Sequence, residues 1–141
     1  MNHDEETLLR RAIELAREAR EVHGNPPFGS LLADADGKVL LEERNTSLAD
    51  NDITAHPELK LARWAARELD PETAAATTMF TSTQPCEMCT GAIKRSGLGR
   101  VVFALSTEQF LTLRPPVTMD FTLDGPALFE EARVPVEGYY I

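Results

Sequence analysis

"TMFTSTQPCEMCTGAIKRSGLGRVVFAL" (residues 78–105) changes pattern twice and so decides how the chain is built. Thr78 to Thr83 is β-branched and aromatic, which predicts a strand. Pro85 interrupts it, and Cys86 to Ser96 reads as a short helix ended by Gly97. Arg100 to Leu105 is an apolar run bounded by turn residues, the pattern of a buried strand.

The flanking sequence extends this alternation. Residues 4–22 are amphipathic, with Leu8, Leu9, Ala12, Ile13, Leu15, Ala16 and Ala19 on one side at helical spacing. "HGNPPFG" (23–29) is turn chemistry. Phe28–Asp34 and Val39–Asn45 read as the two strands of a hairpin closed at Asp36-Gly37. A polar loop follows, then a helical pattern over Pro57–Leu69 that Asp70-Pro71 should end. Beyond residue 105, a helix is expected over Thr107–Leu113, a short strand near Phe121–Leu123 and a helix near Pro126–Ala132. The order is α-β-β-α-β-α-β-α and a tail. Strands separated by helices imply a sheet covered on both faces. The opening hairpin makes that sheet mixed.

The length of 141 residues suits one domain, residues 1–141, with a core that needs no staples. No apolar run approaches a membrane span. The charged start of the chain lacks a signal-peptide core, so the cytoplasm is the expected location. A net charge of −9 argues against nucleic acid as a partner, because proteins that grip it carry a basic footprint. Only two cysteines are present, as C-x-x-C, which excludes a disulfide framework.

Those thiols instead suggest a metal. Nitrogen ligands are scarce: His3 lies at the terminus, leaving His23 and His56. Zinc favours nitrogen and thiolate ligands, and a catalytic zinc keeps three protein ligands with the fourth place open to water. His56, Cys86 and Cys89 supply three. Cys86 and Cys89 lie three apart on one helix and face one side. His56 and Cys86 each open a helix, and two converging positive helix ends favour thiolates. Glu58 is too near His56 in sequence for a comfortable fourth ligand. It is placed to take a proton from water and return it elsewhere. A redox C-x-x-C would need a thioredoxin-like context, which is not visible.

H-x-E followed by P-C-x-x-C is the signature of zinc deaminases. The chain resembles the cytidine/deoxycytidylate deaminase superfamily in "NPPFGSLL" (25–32), the asparagine of "ERNTS" (43–47), "NDITAHPE" (51–58) and "TSTQPCEMCTGAIKRSGLGRVVFAL" (81–105). The resemblance is to its bacterial nucleoside deaminase branch, which includes guanine and tRNA adenosine deaminases. It implies a three-layer α/β/α sandwich with a mixed, about five-stranded sheet, and a homodimer or higher oligomer. It also implies Zn2+ at His56, Cys86 and Cys89, Glu58 as proton carrier, and Asn45, Phe28 and Pro57 against the substrate. Three departures leave the substrate open: Pro57 where a small residue is usual, Gln84 where glutamate is common, and the ending "VEGYYI".

The expected activity is hydrolytic loss of an exocyclic amino group from a nucleobase or nucleoside, guanine first. Wobble-adenosine deamination in tRNA, and deamination of cytosine or another amino-heterocycle, are the alternatives in the same chemistry. A catalytically inactive zinc-binding subunit is the alternative of another class. Tyr139-Tyr140-Ile141 is a candidate lid over the pocket of its own or a neighbouring subunit.

Overall fold

Ser30 and Thr81 face each other across two buried strands, and the layers of the fold explain why. A computed structural model describes residues 1–115 and 117–140. The elements run α1 (His3–Glu21), β1 (Gly29–Ala33), β2 (Val39–Arg44), α2 (Pro57–Glu68), α3 (Pro71–Ala75), β3 (Thr78–Thr83), α4 (Glu87–Ser96), β4 (Arg100–Leu105), α5 (Thr107–Leu111) and α6 (Phe129–Ala132). The sheet order is β2-β1-β3-β4. β1 pairs antiparallel with β2 and β3, and β3 pairs parallel with β4.

Successive strand residues point to opposite faces, so each strand feeds two cores. On one face Ala12 of α1 packs with Leu31, Ala33, Phe80 and Val102. On the other, Leu61 and Ala65 of α2 pack with Leu32 and Met79, with Ile93 of α4 against them. The α/β/α layering expected from the sequence is therefore present. Ser30 and Thr81 share the parity of Leu32 and Met79, which aims them at the layer of α2 and α4. Gly29 lets α1 lie close on β1. A Cβ there would meet the Ala16 nitrogen and the Leu15 Cβ at 2.5 Å. Gly97 ends α4 in the left-handed region, at φ 88°, as its place in the sequence predicts.

Four expectations need correction. The sheet has four strands among the described residues, not five. Phe121–Leu123 forms no strand: three residues between Asp120 and Asp124 are too few to establish a ladder, and Phe121 and Leu123 stay 78% and 85% exposed. Asp70-Pro71 ends α2 but also starts α3, since the Asp70 side chain accepts from the Thr73 N–H at 2.8 Å and Pro71 suits the first turn. The expected helix over Pro126–Ala132 is confined to Phe129–Ala132.

Candidate active site

Two helix starts build the site. His56 is the N-cap of α2 and Cys86 the N-cap of α4, and neither side chain caps its own helix. Residues in that position usually spend their side chains on backbone N–H groups. Here both point at a shared centre instead. Pro57 takes the first helical position, where its missing N–H has no intrahelical partner to lose. Because α2 and α4 lie side by side in one layer, their starts converge.

His56 Nδ1 lies 3.7 Å from Cys86 Sγ and 3.4 Å from Cys89 Sγ. All three ligand atoms fall within 4.8 Å of one another. Tetrahedral zinc with Zn–S about 2.3 Å and Zn–N about 2.0 Å separates such atoms by roughly 3.6 Å, so the donor set fits that ion. His23, the other histidine considered, is not in the cluster.

The electrostatics agree. A hydrogen bond from Cys89, and then one from His56, bring the Cys86 thiol down to about 3. Cys89 is pushed up, first by its hydrogen bond to Cys86 and then by burial. The two sulfurs thus share one proton, which a dication would displace. Backbone N–H groups support both: that of Cys89 reaches Cys86, and that of Leu59 reaches Cys89. His56 is raised, chiefly by its hydrogen bond to Cys86.

Glu58 sits in the first turn of α2, only 6% exposed. Burial pushes its carboxyl up to about 7. Ser30 Oγ lies 3.4 Å from Glu58 Oε1 and 2.7 Å from Thr81 Oγ1, so the polar pair in the sheet lies directly behind the carboxylate. A buried acid with one short-range hydroxyl partner can hold or release a proton without leaving its place.

His56, Glu58 and Cys86 open onto a cavity of about 680 Å³. Phe28, Asn45 and Pro57 also line it. The Asn45 N–H donates to the Phe28 carbonyl at 3.0 Å. The Asn45 Oδ1 accepts from the Ser47 N–H and O–H, each at 2.8 Å, which leaves its NH2 as the free polar end. Cys89 is buried and does not line the cavity; it joins His56 and Cys86 only in the ligand cluster. Sequence reasoning missed Ser30, Phe110 and Arg114. The last two belong to α5 and the turn after it; Phe110 meets Phe28 edge-to-face at 5.7 Å. Tyr139 and Tyr140 pack on each other and do not line this cavity, so within one chain they are not its lid; Ile141 lies outside the described residues.

Comparison with known proteins bears on the same residues. Residues 2–105 match the family described as the cytidine and deoxycytidylate deaminase zinc-binding region. The chain is 32% identical to a probable cytosine deaminase of Schizosaccharomyces pombe, over 94% of this chain and 90% of that protein. It is 39% identical to the guanine deaminase of Bacillus subtilis, over 66% of this chain and 58% of that protein. It is 35% identical to a tRNA-specific adenosine deaminase of Haemophilus influenzae, over 72% of this chain and 58% of that protein. The X-ray structure of the Bacillus subtilis guanine deaminase superposes with a TM-score of 0.77 at 27% identity, over 99% of this chain and 94% of that one. The chain belongs to the cytidine and deoxycytidylate deaminase family and is a zinc-dependent deaminase.

Proposed function

We propose that the protein deaminates a free nucleobase, guanine before others, replacing its amino group with a carbonyl oxygen from water and releasing ammonia. The cavity carries this reading: its volume suits a purine, Phe28 and Phe110 give it aromatic walls, and among the described residues Glu58 beside the ligand cluster is its only carboxylate. The end-to-end structural likeness to a guanine deaminase supports the same choice.

Zinc, when bound, supplies a Lewis acid that makes a water molecule acidic near neutral pH. Glu58 takes that proton, and its position is over-determined by Ser30 and the start of α2. Glu58 would carry the first of the water's two protons to a ring nitrogen and the second to the departing amine, so that the oxygen stays on the ring as the carbonyl. Asn45 offers its NH2 to an acceptor on the ring. Phe28 packs on the ring, and Pro57 closes the wall without offering an N–H.

A second reading, cytosine, is favoured by the near full-length likeness to a probable cytosine deaminase. Transfer RNA is disfavoured by the net charge of −9. The inactive zinc subunit is disfavoured by Glu58, since a structural site needs no buried acid beside it. Ammonia release from guanine, cytosine, their nucleosides and a wobble-adenosine tRNA substrate, with zinc-loaded protein, tests these readings together. Guanine should give the highest kcat/KM. A higher value for cytosine would select the second reading, and no ammonia from any substrate would select the inactive one.

The further picture is one deaminase domain, working in purine metabolism in the cytoplasm as a homodimer or higher homo-oligomer. No helix among the described residues is long and apolar enough to cross a membrane. Support for self-association comes from residues 117–140. Val117, Met119, Phe121, Leu123, Phe129 and Tyr140 are all exposed. So much apolar surface on one segment suits packing against a second copy.

A further inference from the structure

Arg114 stands out in the cavity wall. Its guanidinium carbon lies 5.2 Å from the centre of the Phe110 ring. Its Nε is buried with no hydrogen-bond partner. No carboxylate pairs with it among the described residues, unlike the arginines at 11, 17, 44, 100 and 133. With the Nε turned away from the cavity, the guanidinium can present only its two terminal NH2 groups there, and an arginine stacked on an aromatic ring is held in one plane.

The rest of the wall shows what is lacking. The Asn45 Oδ1 is occupied by Ser47. The Gln84 Oε1 accepts from the Thr107 N–H at 3.0 Å. These bonds fix both amides with their NH2 ends unused. Beside the hydroxyls of Ser47, Thr83 and Thr107, the cavity wall away from Glu58 and the metal ligands offers three groups that can only donate: two amide NH2 groups and one guanidinium. A ligand that engages these three groups must bring acceptors. The net charge of −9 makes a neutral acceptor the better match than an anion.

We propose that Arg114 sets substrate specificity by donating its planar fork to two neighbouring neutral acceptors of the heterocycle, a carbonyl oxygen and a ring nitrogen. An arginine meets a 6-oxopurine in this way at its O6 and N7. The inference rests on the deaminase reading and goes beyond it, since the sequence motifs end before residue 114. A bond made equally to substrate and transition state acts mainly on KM.

The test is a substrate cycle with zinc-loaded wild type, Arg114→Met and Arg114→Lys, each checked for zinc content and melting temperature. The rings are guanine, 2-aminopurine, which lacks the oxygen, and 7-deazaguanine, which lacks the nitrogen. Wild type should prefer guanine over each analogue by about 10- to 100-fold in kcat/KM, the scale of a hydrogen bond to a charged donor. Both variants should lose most of that preference, chiefly through a higher KM for guanine. Lysine keeps the charge but not the fork, so an Arg114→Lys protein with wild-type ratios would overturn the proposal. So would equal ratios in wild type and Arg114→Met, or a wild type that prefers guanosine 5′-monophosphate through Arg114. If no ring yields ammonia, the deaminase reading fails separately. Calorimetric binding of xanthine, which keeps both acceptors, then decides: about tenfold weaker binding to Arg114→Met supports the fork, and equal binding rejects it.

Discussion

Pro57 is a residue whose presence has a structural reason and a chemical consequence. Its ring suits the first position of α2, and it is fully buried against the cavity. Its cost is a missing N–H at the wall. Pro57→Ala should lower stability by no more than about 1 kcal/mol, because the main loss is a constraint on the unfolded chain. The regained N–H should raise kcat/KM for cytosine, relative to an analogue without its carbonyl, by up to about tenfold. Equal ratios in both proteins would leave Pro57 as a helix starter only. At this scale the metal ligands and Glu58 were legible in the sequence because spacing within H-x-E and C-x-x-C fixes geometry locally. Ser30 was not. A serine in a strand signals nothing until pairing sets it opposite Thr81 and behind a carboxylate. Arg114 was equally silent, because only the turn after α5 brings it to the wall.

Among the elements, β3 and β4 were legible to the residue, since β-branched and apolar runs between turn signals have few other fates. The fifth strand was misread because its three residues have β-propensity without a partner. Propensity of that kind is decided by pairing, not by the segment. Asp70-Pro71 was read as a stop, although the same two residues start α3. The seat of α1 on β1 can be tested directly. Gly29→Ala would drive a Cβ into α1 at 2.5 Å, and should cost about 2–3 kcal/mol by forcing the two apart. A melting temperature equal to wild type would show that α1 yields freely. Metal joins a second pair of elements, the starts of α2 and α4. Stripping zinc with a chelator should therefore lower the melting temperature, and restoring it should reverse the loss.

Across the whole molecule, charge ties α1 to the sheet. Arg11 holds Glu42 of β2 through two bonds, at 2.6 and 2.9 Å, and Glu42 is kept below the usual carboxylate range by that partner. A carboxyl whose pKa falls on folding stabilises above its unfolded value, near about 4.3, and loses that contribution as pH drops through the folded one. Glu42→Gln should therefore melt lower than wild type at pH 7, and the gap should close under acid. A constant gap would contradict the linkage. The segment beyond Pro115 was the least legible part of the chain, because its apolar side chains find no cover within the described residues. Removing residues 117–141 should leave a folded body and abolish self-association in sedimentation. A truncated chain that still dimerises would place the interface elsewhere. The site itself, where zinc and Glu58 are said to act together, is tested most directly by one paired measurement on Glu58→Gln: bound zinc and ammonia release under the same conditions. The variant should bind zinc as wild type does and lose about 10²- to 10⁴-fold in kcat, the usual contribution of a positioned acid–base group. Full zinc with a tenth or more of wild-type kcat would contradict Glu58 as the proton carrier.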